Sequence, residues 1–416
     1  GFEPLLLPLC LNIKGDSLTA DFTGASPQVP VPVNSTLAVT AASVFITLKS
    51  TLDPQHALNH GSFRPVEVIA PKGTIVNVSH PAPAGSHGEI RKRVIATMLG
   101  ALAQACPELV SGDIHRTSFH NLIGGIDPNT GGEYVHYEWA SGGNGGFLEA
   151  DGPSAMAAID WGDLTTVQST EVLENQFPLH VEFSRLGIDS GGPGKQRGGL
   201  GMRRALRLTR GSAKYSLLSD GAIMPPFGIL GGESGAPVDS YVVKANGTEQ
   251  HFDSPGKVGG HLLEAGDMVI LQSAGGGGYG DPRDRSSEEV ARDVADGVVS
   301  KEAAREVFGA DKRIARYTLT VTESDDDAYV ASGPSRKRVI RLNPADATAL
   351  VLSTNDCIEL LGKNSAPLRG WLICDKAIPV GSVMLDAKGR RCLGTEADSL
   401  VEVRRLTVPI GAPQHS

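Results

Sequence analysis

Apolar residues recur along this chain at two periods, and each period predicts a different kind of element. Leu37, Ala41, Val44, Phe45 and Leu48 fall at helical spacing, so a helix is expected over residues 35–50. Ile90, Val94, Met98, Leu99 and Leu102 form a second apolar face, which predicts the strongest helix over residues 89–105. Ser286 and Glu289 have capping-box spacing and open a helical pair that runs to Phe308. Shorter runs read as strands: a hairpin around Lys14-Gly15-Asp16, a strand ending at Ile69, and the stretches 134–139, 179–183, 203–208 and 267–271.

Several of these strands lie beside glycine. Gly142-Gly-Asn-Gly-Gly146, the loop from Asp189 to Gly201, Gly228-Ile-Leu-Gly-Gly-Glu-Ser-Gly235 and Gly275-Gly-Gly-Gly-Tyr-Gly280 are expected to cluster in space. Glycine is placed where no Cβ is tolerated or φ is positive. Neither nucleotide-binding glycine fingerprint is met, so close backbone packing against another element or subunit is the expected role, with a phosphate cradle as the alternative.

After residue 312 the composition shifts, and Glu323-Ser-Asp-Asp-Asp327 reads as a solvated acidic turn. Asn343-Pro344 is an N-cap followed by a first-position proline. Stretches 357–361, 368–374 and 400–406 read as strands, and Ser353-Thr-Asn-Asp-Cys-Ile-Glu359 is echoed by Thr395-Glu-Ala-Asp-Ser-Leu-Val-Glu402. Two related halves imply a small closed barrel, and the pattern is similar to double-psi β-barrels. The expected class is therefore α+β: a large mixed α/β domain over residues 1–312 with glycine-rich strand-end loops, then a small β-barrel over 313–416.

Composition narrows the function. The 416 residues carry a formal net charge of −9 and only short basic runs, which argues against a nucleic-acid partner. Five cysteines without a CxxC pair fit a reduced, cytoplasmic setting better than a disulfide framework. No apolar run reaches the ~18 residues of a membrane helix. Three Asn-X-Ser/Thr triplets, at Asn34, Asn77 and Asn246, are read as chance matches. A start at Gly1 rather than Met is read as a fragment or a processed piece.

The motifs Asp21-Phe-Thr-Gly-Ala-Ser-Pro-Gln28, Gly61-Ser-Phe-Arg-Pro-Val-Glu-Val68, Asp189-Ser-Gly-Gly-Pro-Gly194, Arg197-Gly-Gly-Leu-Gly201 and Gly275-Gly-Gly-Gly-Tyr-Gly-Asp-Pro282 stand in the order of the hydantoinase B/5-oxoprolinase family, which the chain resembles over about 300 residues. The resemblance implies one component of an ATP-dependent amidohydrolase that opens a hydantoin, 5-oxoproline or lactam. A hydantoinase A-type partner would bind ATP and Mg in a hetero-oligomer. Ketone carboxylases of the same family, and a non-catalytic assembly role, are the alternatives. The N-terminal region where relatives carry a His- and Asp-containing motif associated with a divalent metal is missing here, so no metal ligand is assigned.

Candidate site residues follow from local chemistry. His136 and Glu138 alternate onto one strand face beside a glycine loop and form the best acid/base pair; a structural histidine is the alternative. Asp21 would either orient a substrate amide or cap its turn. Ser26 and Gln28 would donate hydrogen bonds to a substrate carbonyl, or Ser26-Pro27 simply forms a common turn. Arg64 would bind a carboxylate or phosphate, or pair with Glu67. His87 sits at a helix start that favours anions, with a solvent-exposed loop histidine as the alternative.

Overall fold

The computed structural model describes residues 4–160, 167–309, 317–324, 328–362 and 366–406. The expected domain boundary near 310–316 and part of the acidic turn, residues 325–327, lie outside them. At the N-terminal end a three-stranded sheet forms from Cys10–Lys14, Ser17–Asp21 and Val66–Ile69. The first pair is the expected hairpin, and the third strand joins in parallel, with Leu18 opposite Val66 and Asp21 opposite Ile69. Helices α1 (Leu37–Leu52) and α2 (Gly88–Leu102) pack with this sheet around Ala20, Phe22, Val44, Val94 and Met98.

Two antiparallel sheets make up the middle of the chain. One has the order Lys257–Glu264, Ser212–Leu218, His120–Ile126, Glu133–Trp139. The other runs Glu249–His251, Asp239–Val243, Met268–Gln272, Met202–Leu208, Leu179–Leu186. Ile123 and Tyr215 of the first share one buried core with Leu206 and Val269 of the second, so the sheets face each other as a sandwich. Sequence pattern missed the strand His120–Ile126, which contains Gly124 and Gly125, and the strand Lys257–Glu264, whose Gly259 and Gly260 lie where the register shifts. Paired glycines interrupt the alternation that marks a strand.

The glycine loops do come together, and they do so around Gly275 to Gly278. A Cβ on Gly275 would meet Ser190 O at 1.7 Å, on Gly276 Asn144 O at 1.9 Å, on Gly277 Phe227 O at 1.8 Å, and on Gly278 Pro193 O at 2.0 Å. Positions 275 and 278 therefore face the same neighbour, segment 190–193, while 276 and 277 face two others. This is the three-residue repeat of a polyproline-II screw. The hydrogen bonds repeat likewise: Gly275 N donates to Ala236 O, Gly276 N to Gly199 O, Gly277 N to Asp113 O and Gly278 N to Glu233 O. With every amide of the four donated to protein carbonyls, none is left to cradle a phosphate.

The C-terminal strands close into a six-stranded barrel. Around it run Ser335–Leu342, Leu368–Cys374, Cys357–Leu361, Leu400–Arg405, Tyr317–Ser324 and Ser382–Asp386, and the last pairs back to the first through Arg341 opposite Met384. The internal echo is structural as well: each half holds a strand, a short helix (Pro344–Ala349 or Ala387–Leu393) and a strand. Together with the mixed layers before it, the barrel bears out the expected α+β class. The barrel docks on the glycine loop 225–235. Glu359, 1% exposed, accepts from Arg369 Nε and Arg404 Nε at 2.8 Å each, while those arginines also donate to Ser234 Oγ (2.7 Å) and Gly232 O (2.8 Å).

Candidate functional site

The two strands His120–Ile126 and Glu133–Trp139 pair so that His120 lies opposite Trp139 and Asn121 opposite Glu138. Alternation then sorts their polar side chains onto two faces. Asn121, His136 and Glu138 point into the sandwich; His120, Tyr137 and Trp139 point outward.

The inward set holds the expected acid/base pair. His136 and Glu138 do approach, with Nε2 to Oε2 at 3.5 Å, but they are 1% and 6% exposed. Arg204 Nε of the facing sheet lies 3.6 Å from Glu138, and Asn121 Nδ2 donates to it at 3.1 Å. Burial works to raise the Glu138 carboxyl; His136 and Arg204 outweigh it and hold it below the usual range. Phe177 packs on the His136 ring. This is a charge cluster buried between the two sheets.

The remaining expected residues lie at the small sheet. Asp21 accepts from Thr23 N at 2.8 Å, closing its turn. Ser26, 1% exposed, accepts from Leu6 N, and Gln28 Oε1 accepts from Ser79 N at 2.8 Å. Arg64 is exposed at the end of a 3-10 turn, two residues before Val66. Because Val66 pairs with Leu18 and Ile69 with Asp21, Arg64 and Asp21 sit at opposite ends of the paired strands. They do not converge with each other or with His136 and Glu138. His87 precedes α2 and contacts Ala84 O at 3.2 Å.

The outward set leads to a constellation that pattern reading did not assemble. Glu89 stands in the first turn of α2, and Oε1 accepts from Ser118 N at 2.8 Å while Oε2 accepts from Thr117 Oγ1 at 3.0 Å. Helix and segment come this close because residue 88 is glycine; a Cβ there would lie 2.4 Å from Ser118 Oγ. The segment is itself strained, with Arg116 at φ 48° and Phe119 at φ 51°, conformations that cost a side-chain-bearing residue ~1 kcal/mol or more. His120 Nε2 lies 3.8 Å from Glu89 Oε1, His120 Nδ1 lies 2.5 Å from Tyr137 Oη, and Trp139 Nε1 donates to that same oxygen.

Exposure rises outward along this chain of groups, from 5% at Glu89 to 46% at Tyr137 and 39% at Trp139. Burial, helped by the Asp220 charge, pushes the Glu89 carboxyl up to about 7 against the hydrogen bonds from Ser118 and Thr117. Burial also lowers His120, with His87, Lys92 and Arg91 adding repulsion, and raises Tyr137. Near neutral pH Glu89 is therefore about half protonated, His120 is held toward its neutral form, and Tyr137 keeps its phenolic proton. One turn further along α2, fully buried Lys92 donates to Asp160 at 2.7 Å, and Arg91 pairs with the same carboxylate at 2.5 Å. His115 packs in the same region with its imidazole pushed down to about 3, chiefly by burial. Among the described residues no three His, Cys, Asp or Glu side chains are grouped to hold a metal ion.

The chain belongs to a known class. Residues 5–282 match the Hydantoinase B/oxoprolinase family model, and the chain belongs to that family. It is 31% identical over 343 residues to a Pseudomonas sp. (strain NS671) protein named as the B component of a D-/L-hydantoinase, covering 80% of this chain and 55% of the relative. It is 30% identical over 322 residues to the beta subunit of the Pseudomonas jessenii caprolactamase, covering 74% of this chain and 54% of the relative. The crystal structure of the ATP-dependent caprolactamase from Pseudomonas jessenii superposes with a TM-score of 0.65 at 27% identity, over 73% of this chain and 53% of the other. A nucleotide-free acetone carboxylase shares the fold at a TM-score of 0.66 and 23% identity, over 73% of this chain and 45% of the other. The chain spans about half the length of the curated relatives it matches.

Proposed function

We propose that this chain is the B-type component of an ATP-dependent amidohydrolase that opens a cyclic amide: a hydantoin, 5-oxoproline or a lactam. A hydantoinase A-type partner would hold ATP and Mg and phosphorylate the amide oxygen, after which water opens the ring. The observation that carries this reading is the double likeness, in sequence and in fold, to a caprolactamase, joined by a relative named for hydantoin. Both of these relatives are named for cyclic amides, and each shares about half of its length with this chain. The use of all four amides of Gly275 to Gly278 within the protein supports a phosphoryl-transfer site away from that screw.

The test is reconstitution with an A-type partner and measurement of phosphate release with hydantoin, 5-oxoproline or caprolactam. The reading expects release that depends on the cyclic amide, with one ring opened per ATP. A ketone carboxylase would instead need bicarbonate and a ketone; the likeness to acetone carboxylase, at 23% identity, is one of fold. A complex whose ATP turnover ignores cyclic amides would refute the proposal.

A further inference from the structure

We propose, resting on the amidohydrolase reading above, that Tyr137 is the general acid that protonates the leaving ring nitrogen, with His120 and Glu89 positioned to resupply its proton. The geometry points to donation outward. Tyr137 Oη receives an N–H from Trp139 and faces His120 Nδ1 at 2.5 Å. With His120 carrying its proton on Nδ1, the phenolic oxygen accepts twice and its own O–H is directed to the open side. His120 Nε2, which has no hydrogen-bond partner and is shielded from solvent, then faces Glu89 Oε1 at 3.8 Å. Two half-exposed aromatic rings, Tyr137 and Trp139, set edge to face with centroids 5.8 Å apart, form a platform suited to a flat, uncharged amide ring.

The protons and electrons balance with water as co-reactant. As the C–N bond breaks, its electron pair stays on nitrogen and takes the Tyr137 proton. The phenolate, held by the Trp139 N–H, takes the proton of His120 Nδ1 while Nε2 takes one from Glu89. Water adds to the phosphorylated amide carbon; as nitrogen leaves, the new hydroxyl gives up its proton, which returns to Glu89 through solvent. The resulting acyl phosphate is hydrolysed by a second water to the carboxylate and inorganic phosphate. The groups that face Glu89 are Thr117 and Ser118 from the strained segment, Asp220, and Lys92 on its own helix; those that face His120 are His87, Arg91 and Lys92. A carboxyl that burial brings to titrate near neutral pH is a suitable terminal donor.

Tyr137→Phe and Glu89→Gln in the assembled complex test the assignment. Removing a general acid costs about 10²-fold or more in turnover, so Tyr137→Phe is expected to lower kcat to that degree with KM within about threefold. The loss should shrink for hydantoin, whose ring nitrogen leaves more readily than that of a lactam. Glu89→Gln should shift the alkaline limb of the pH–rate profile. Equal losses on both substrates, or an unmoved profile, overturn the relay. If the unsubstituted complex opens no cyclic amide, the functional reading fails, and the relay is judged on the full chain alone by the His120 imidazole titration in NMR. Both substitutions should move its midpoint; a midpoint unmoved by either overturns the coupling.

Discussion

The substitution Gly276→Ala measures how completely the glycine screw is committed to packing. A methyl group at this position would stand 1.9 Å from Asn144 O and 2.2 Å from Asn144 C, both main-chain atoms that cannot rotate away. Restoring an ordinary contact requires segment 144–146 to retreat by more than 1 Å, and that segment is tied to the screw by Gly146 N donating to Gly277 O at 2.9 Å. Overpacking a tight core costs roughly 1–3 kcal/mol, and each buried main-chain bond left open adds about 1–3 kcal/mol. Gly199 N donates to Asn144 O as well, at 2.7 Å, so at least two such bonds are at risk. The total, about 3–9 kcal/mol, is comparable to the whole stability of a folded protein, about 5–15 kcal/mol. Urea unfolding followed by circular dichroism, beside the control Gly247→Ala, checks this. Gly247 has φ +87 and nothing within 4 Å, so the control should lose only about 1 kcal/mol. A Gly276→Ala protein that unfolds at the control's midpoint would refute the packing argument.

Other perturbations separate structural from chemical roles. Because the folded Glu89 carboxyl titrates near 7 against an ordinary 4.5, the native state keeps a proton that the unfolded chain has lost between those values. Stability should therefore fall as pH rises through that window, by up to about 3 kcal/mol, and Glu89→Gln should remove the dependence; unfolding curves for the two proteins that stay parallel from pH 4.5 to 7.5 would contradict this. Glu138→Ala strands Arg204 and His136 between the sheets and should destabilise by about 3–5 kcal/mol, with turnover per folded molecule retained in the assembled complex; a large kcat loss without destabilisation would return this pair to the chemistry. Glu359→Ala leaves Arg369 and Arg404 facing each other and should free the barrel from loop 225–235, which limited proteolysis would detect as release of the C-terminal portion.

The helices were legible in the sequence because their signals are local: the apolar stripe of α2, the Ser286/Glu289 capping box and the Asn343-Pro344 start. The clustering of glycine loops was legible too, since so many residues without a Cβ have few other uses in a folded core. The strand His120–Ile126 was hidden by its own glycines, and with it went the partner that tells which face of Glu133–Trp139 is buried. Alternation placed His136 and Glu138 on one face, but only the facing sheet, through Arg204, makes that face the interior. Glu89, His120 and Tyr137 come from a helix and two strands, so no spacing in the sequence joins them. The visible hint was the alternate face of the same strand, Tyr137 and Trp139.

Whether this chain serves cyclic-amide opening is decided most directly by phosphate release from its complex with a hydantoinase A-type partner, recorded with and without a cyclic amide alongside the ring-opened product. Adding hydantoin, 5-oxoproline or caprolactam should raise ATP hydrolysis, with product forming in step with phosphate. ATP turnover indifferent to all three, or stimulated only by a ketone with bicarbonate, would contradict the amidohydrolase assignment.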